Sequence, residues 1–378
     1  MAQSAVQAGL EGVVAAPSAI CFIDGQQGLL AYRGYDIRDL ADQATYEEVA
    51  YLLLMGELPT QAELRSFQAE LVRRRPVPAA VFDLLAALPA QAEPMALLRT
   101  GVSALGMYDP LAGQTSRDAA LEQAVNLIAQ VPTLVAGIAR LRQGQKPLPA
   151  DSDPSVARSF LTMLKGEPPT EVQGRTLDIA LILHADHEFN ASTFAARVTA
   201  ATLADMYSAV TSAIGALKGP IHGGANEQVM EMLMAIGEPE KAEGWVREKL
   251  ARREKIMGIG HRVYKTYDPR ARFLKEMARR LSEELGEDRW YRISLEIERV
   301  VLEELGDKAL YPNVDFFSGV CYHLLGIPVD LFTPIFAMSR ISGWTAHVVE
   351  QYENNRLIRP RAEYTGPGLR PFVPIDQR

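Results

Sequence analysis

Apolar residues recur at helical spacing along almost the whole of this chain, and one stretch near its start alternates as a strand would. That contrast limits the fold more than any other feature. Tyr46 to Met55, Pro59 to Arg75, Asp118 to Gln130 and Arg175 to His187 each read as a helix. Phe194 to Leu217 reads as one long helical run without an internal proline. "AICFIDGQQGLLAYRG", Ala19 to Gly34, reads as a hairpin turning through Asp24-Gly25. Strand and helix do not alternate, which counts against a doubly wound sheet. The expected class is mostly α, multihelical, with a short N-terminal β-hairpin.

Caps and breaks mark the second half. Asp268-Pro269 reads as the N-cap and first residue of a helix carrying Phe273, Leu274, Met277, Leu281 and Leu285, which Gly286 stops. Thr333-Pro334 repeats that start signal before Ile335 to Glu353. Between Glu238 and Lys308 the chain is laced with Glu, Lys and Arg and broken at Gly258, Gly260 and Gly286. The flanking segments, Phe194 to Leu217 and Val314 to Val348, are far more apolar. The shift marks a smaller, solvated helical domain (220–322) inserted into a larger one (1–219 and 323–378), with the Gly-rich stretches as hinges.

A chain of 378 residues can bury a substantial core, and its net charge of −8 argues against an extended basic face for nucleic acid. Any anionic ligand must therefore be held by a local cluster of Arg and His. The two cysteines, Cys21 and Cys321, are too few for a disulfide scaffold or a cysteine metal site and suit a reducing compartment. No apolar run is expected to approach a membrane span, and no basic leader precedes the first Ala/Val stretch. The expected location is the cytoplasm.

Six histidines can be weighed singly. His184 and His187, in "HADHEFN", are expected on one helical face, as a polar helix end or as part of a metal site; the His-Glu-x-x-His pattern is missing. His222, in "KGPIHGGANE", sits between a Gly-Pro break and a Gly-Gly pair where a new helix starts. It is either a turn residue or a neutral imidazole at the positive end of a helix dipole, able to donate to a developing oxyanion. His261, in "GIGHRVYKTYDPR", lies on a Gly-bounded loop that lacks the third glycine of a dinucleotide fingerprint. Arg270, nine residues on, is either a solvated helix charge or a carboxylate anchor. His323 and His347 fall on apolar helical stretches and read as structural.

Asp315, in "YPNVDFFSG", either caps a helix or is a carboxylate made more basic by desolvation. Arg340 interrupts "TPIFAMSRISGW" with no acid within a helical turn, so its partner comes from elsewhere in the fold or from an anionic ligand. Arg356, Arg359 and Arg361 cluster in "NNRLIRPR".

Taken together and in order, "HADHEFNAST", "GPIHGG", "GIGHRVYKTYDPR", "YPNVDFFSG" and "FAMSR…RPR" resemble the motif set of the citrate synthase family, as does "CFIDGQQGLLAYRGYDI" at the start. The resemblance covers nearly the whole chain. It implies a dimeric, two-domain helical enzyme that condenses acetyl-CoA with oxaloacetate and hydrolyses the thioester. No cofactor or metal is implied, coenzyme A thioester being a substrate. Matched position by position, Asp315 would be the base, His222 the donor to the enolate, and His261 the donor to the ketone of oxaloacetate. His187, Arg270 and Arg340 would bind oxaloacetate, and Arg359, or neighbouring Arg361, would reach the other subunit's site. Arg262 and Lys265 are candidate coenzyme A phosphate partners. The resemblance leaves 2-methylcitrate synthase, using propionyl-CoA, as the nearest alternative, and a non-catalytic coenzyme A-binding protein as a remote one. Some bacterial relatives carry an added N-terminal β-rich region associated with hexamers and NADH inhibition; this chain starts almost at the hairpin, so a dimer without that control is expected.

Overall fold

The computed structural model of the protein describes residues 7–308 and 310–378. Residues 1–6, on which the reading of the N-terminus partly rests, lie outside the described residues. Three short antiparallel strands, β1 (Cys21–Asp24), β2 (Leu29–Tyr32) and β3 (Tyr35–Asp36), form one sheet in that order. Cys21 pairs with Tyr32 and Asp24 with Leu29, so the hairpin forms as the alternation predicts. The Asp24 carboxylate closes its turn by accepting the amides of Gln26 and Gln27 at 2.9 and 3.0 Å.

The rest is helical. The first half contains α1 (Ile37–Gln43), α2 (Tyr46–Met55), α3 (Gln61–Arg74), α4 (Ala79–Ala86), α5 (Pro94–Leu105), α6 (Arg117–Arg142), α7 (Val156–Lys165) and α8 (Glu171–His184). The second contains α9 (Ala191–Ala200), α10 (Met206–Leu217), α11 (Ala225–Ile236), α12 (Pro239–Ala251), α13 (Ala271–Leu285), α14 (Arg289–Leu305), α15 (Val314–Leu324) and α16 (Phe332–Glu353). Capping boxes start α2, α3 and α8, where Thr45, Thr60 and Thr170 pair with Glu48, Glu63 and Gln173; each is worth about 1 kcal/mol.

α16 is the central strut. Almost every residue from Phe332 to Val349 is buried, and it packs on α2, α6, α8, α9 and α10. A helix buried on all sides needs such a jacket. α6 is similar. It is longer than the predicted Asp118–Gln130, and among the described residues it is the one helix long and apolar enough to cross a membrane, contrary to the expectation from sequence. In its most apolar window 78% is buried, against α3, α5, α7 and α16. In the charged segment α13 packs on α15 and α12 on α14, while α13 and α15 also contact α8.

Four boundaries differ from the sequence reading. Phe194 to Leu217 is two helices, because Leu203 turns into the left-handed region (φ 62°) and Asp205 caps α10 through the Ser208 amide at 2.9 Å. α8 stops at His184, so His187 is not on its face. α13 starts at Ala271, not Pro269; Asp268 accepts the Arg270 amide at 3.0 Å, as a cap would, and also takes the Arg270 side chain. α16 starts at Phe332; Thr333 instead ties to α11, its Oγ1 donating to the Glu227 carboxylate and its amide donating to the same group at 3.1 Å.

Candidate functional site

The turn between α8 and α9 carries the first site residues. His184 stays in the helix, its Nδ1–H donating to the Ala180 carbonyl at 2.7 Å and its ring edge-on to Phe336. It is fully buried, and burial pushes its pKa down to about 3. His187 lies beyond the end of the helix. Its Nε2 lies 3.2 Å from the Tyr264 hydroxyl and its ring centroid 5.4 Å from that of His261. The two histidines therefore do not form the shared face on which a metal site would depend. Burial, then the charge of Arg270, pulls the His187 pKa well below its ordinary value.

His222 sits in the turn that precedes α11. Its Nε2 accepts the Ser192 amide at 3.2 Å and lies 2.9 Å from the Ser192 hydroxyl. An amide can only donate, so Nε2 is bare and the neutral ring carries its proton on Nδ1. Burial, reinforced by Arg340, pushes its pKa down to about 4. The ring is neutral at physiological pH and offers a hydrogen-bond donor. Gly223 is required behind it, since a Cβ there would lie 2.4 Å from the Leu217 carbonyl.

His261 shows the opposite tautomer by the same logic. Its Nδ1 accepts the amides of Val263 and Tyr264 at 3.0 and 3.2 Å, which leaves the proton on Nε2. Burial, then Arg270, lowers its pKa to about 4. The loop around it is tied to the start of α15. Gly260 donates to the Tyr311 carbonyl at 2.8 Å, and Asn313 donates through its amide to Gly258 and through its side chain to Gly260, both at 2.9 Å. Gly258 has no room for a Cβ, which would meet Phe316 at 2.9 Å.

That loop ends on Asp268, which accepts from Arg270 Nε at 3.0 Å, Arg270 Nη2 at 2.9 Å and the Val314 amide at 3.1 Å. Both partners are buried. Burial would raise the Asp268 pKa, but Arg270 outweighs it and holds the carboxyl below its usual range; the same pairing holds the Arg270 guanidinium above its own. Asp315, next to Val314, is not the cap: the Asn313 side chain fills that role through the Asp315 amide at 3.0 Å. The Asp315 carboxyl is free of that duty, partly exposed, and raised to about 6 by desolvation against the opposing pull of Arg270 and Arg340.

Arg340 is 2% exposed, and among the described residues it makes no ion pair. Its Nε donates to the His184 carbonyl at 2.6 Å, and its guanidinium lies over the Phe336 ring at 4.5 Å. Burial pulls its pKa down to about 10. A buried cation without a carboxylate partner is a cost that an anionic ligand would relieve.

The structure thus brings His187, His222, His261, Arg270, Asp315 and Arg340 into one electrostatically coupled group. It does not bring Arg359, which lies exposed on the extended segment after α16. Arg262 and Lys265 are exposed loop residues beside His261, joined by the Lys265 ammonium donating to the Arg262 carbonyl at 3.1 Å. Sequence reasoning missed Asp268 as the partner of Arg270, Tyr264 as the neighbour of His187, and Ser192 as the support of His222. The first was legible in the Asp-Pro-Arg spacing; the other two join residues distant in the chain.

Two neutral imidazoles with opposite free N–H groups, a carboxylate of raised basicity and buried arginines define an acid–base enzyme for a carbanion-type reaction on an anionic substrate. The citrate synthase, C-terminal domain family matches residues 9–361, and the chain belongs to the citrate synthase family. It is 52% identical to citrate synthase 2 of Bacillus subtilis over 98% of both chains, and 51% identical to the citrate synthase of Haloferax volcanii, also over 98% of both. It is 44% identical to the 2-methylcitrate synthase of Shewanella oneidensis over 98% of both. Among solved structures, the citrate synthase of Pyrobaculum aerophilum superposes with a TM-score of 0.93 at 43% identity, over 99% of this chain and 95% of that one. That of Thermoplasma acidophilum, a ternary complex with carboxymethyl coenzyme A and oxaloacetate, gives 0.90 at 37% identity over 99% of both.

Proposed function

We propose that this protein is a citrate synthase, condensing acetyl-CoA with oxaloacetate and hydrolysing the thioester to citrate and free coenzyme A. The observation that carries the reading is that one group of residues holds both an Asp315 carboxyl of raised basicity and His222 as an Nδ1–H donor. Asp315 takes a methyl proton from acetyl-CoA while His222 donates its Nδ1–H hydrogen bond to the thioester oxygen. The resulting enolate carbon attacks the ketone carbon of oxaloacetate, and the proton on His261 Nε2 passes to the ketone oxygen. Water then cleaves the citryl thioester, releasing the thiol. Arg340, Arg270 and His187 hold the dianion, Arg340 as the anchor with no ion pair of its own.

The substrates, and the absence of any metal or cofactor from the chemistry, follow from this reading. So do closure of a small domain (220–322) over a large one about the Gly-bounded loops, and a cytoplasmic location compatible with the free thiols of Cys21 and Cys321. A homodimer is supported by the exposed C-terminal segment, where Leu369, Phe372 and Ile375 stand in solvent and Arg359 is exposed. Arg359 then completes the partner's site.

The decisive experiment is release of coenzyme A thiol from acetyl-CoA that depends on oxaloacetate; no release refutes the reading. The likeness to a 2-methylcitrate synthase favours one second reading, propionyl-CoA as the acyl donor. One methylene in an apolar pocket is worth about 1–3 kcal/mol, so kcat/KM for the two thioesters decides between them.

A further inference from the structure

We propose that Trp344, acting through the Ser192 hydroxyl, is a positioning residue that holds His222 in its Nδ1–H form. The proposal rests on the reading of His222 as the enolate's donor. Arg340, Trp344 and His347 follow one another on α16 at intervals of one helical turn, so they share a face. Arg340 points into the site, and His347 Nε2 meets Asp186 in the His187 turn at 3.2 Å. Trp344 lies between them, fully buried, and its indole N–H donates to Ser192 Oγ at 3.1 Å.

An indole N–H is only a donor, and a buried one must find an acceptor. By occupying one lone pair it pins Ser192 Oγ beside His222. The single hydroxyl proton then has two acceptors in reach, Asn190 Oδ1 at 2.7 Å and His222 Nε2 at 2.9 Å. Asn190 Oδ1 already accepts the Thr193 amide at 3.1 Å. His222 Nε2 already accepts the Ser192 amide, so a proton on Nε2 would face that amide's own hydrogen. With Oγ pinned, the Ser192 hydroxyl can share its proton with the Nε2 lone pair that the Ser192 amide already holds, and the ring proton stays on Nδ1. Without the indole N–H the hydroxyl turns fully to Asn190 and Oγ offers a lone pair to Nε2–H, so the Ser192 amide alone holds the Nδ1–H form and its advantage shrinks.

Trp344→Phe removes the donor together with part of the buried ring, a loss of packing that Tm reports; Ser192→Ala removes the relay hydroxyl and keeps the amide. Histidine-15N NMR of the ligand-free protein, with the His222 signal assigned by its loss in His222→Gln, should show Nδ1–H alone in the wild type. Both variants should show a share of Nε2–H. Their kcat should fall roughly tenfold with KM for oxaloacetate unchanged, the size expected for one hydrogen bond. The double variant should be no slower than the worse single one. Unchanged tautomers in both variants overturn the proposal, as does a loss of kcat that only follows a fall in Tm. If Trp344→Phe does not fold, Ser192→Ala decides alone. If the wild type releases no thiol, the functional reading fails while the tautomer measurement still judges this one.

Discussion

Asp268 holds Arg270 through two side-chain hydrogen bonds of 3.0 and 2.9 Å and, with the same carboxylate, accepts the Val314 amide at 3.1 Å. One buried group thereby links the end of the His261 loop, the Arg270 guanidinium and the first turn of the helix that carries Asp315. Asp268→Asn should cost about 3 kcal/mol of stability, because it leaves the Arg270 guanidinium buried without its counter-charge. It should also raise KM for oxaloacetate. Denaturant unfolding measures the first and steady-state kinetics the second; an unchanged unfolding midpoint would mean that the pair does not anchor this region.

As the proposed base, Asp315 should set the acid limb of the pH profile. Its carboxyl titrates near 6, whereas His222 and His261 are already neutral above about 4. The active carboxylate form is lost as pH falls through 6, so kcat/KM for acetyl-CoA should drop about tenfold per pH unit below that point. Asp315→Asn should lose roughly a hundredfold to ten-thousandfold in kcat while still binding oxaloacetate. Normal turnover of that variant would remove Asp315 from the role of base.

Arg340 separates binding from folding. Since it makes no ion pair among the described residues, Arg340→Gln should leave the ligand-free Tm unchanged or raise it. Oxaloacetate at a hundredfold excess over Kd should stabilise the wild type by about 2.7 kcal/mol and the variant hardly at all. Equal ligand-induced shifts in Tm would place the anchor elsewhere.

Away from the site, Glu47 is 1% exposed and accepts the Val156 amide at 2.7 Å; burial, then Asp178, pushes its pKa up to about 8. The folded state therefore keeps a proton that the unfolded chain has released. Stability should fall as pH rises from the ordinary carboxylate range through 8 and level off beyond it. Glu47→Gln should flatten that slope and be the more stable protein at pH 8, read from unfolding midpoints across pH.

Subunit mixing tests Arg359. If Arg359 serves the partner's site, inactive Asp315→Asn and Arg359→Ala proteins should regain activity when refolded together, because each mixed dimer restores one intact site. A mixture that stays inactive would return Arg359 to its own chain or to the surface.

Much of the site was legible because its residues stand out locally. His222 lies between Gly-Pro and Gly-Gly, Arg340 interrupts an apolar run, and Asp315 sits between Val and Phe. Helix identity was legible too, though not its limits. Phe194 to Leu217 has one composition but two helices, since the break is made by a single left-handed residue and a cap, neither of which changes the apolar pattern. The reading of Asp268 as the cap of α13 was right about the bond and early about the helix: its carboxylate accepts the Arg270 amide at 3.0 Å, but it also holds the Arg270 side chain and the Val314 amide of another segment. Of the two readings of Asp315, capping falls to Asn313 instead.

By itself, then, the sequence determined the helical class, the hairpin and the chemical types present, since these follow from periodicity and residue identity within a few positions. Tertiary structure alone decided which imidazole nitrogen carries the proton in His222 and His261, which arginine is ion-paired and which, among the described residues, is not, and how basic Asp315 becomes. Tautomer, pairing and desolvation are set by neighbours contributed from elsewhere in the chain: Ser192 for His222, Asp268 and Val314 at the meeting of loop and helix, and α8 against Arg340.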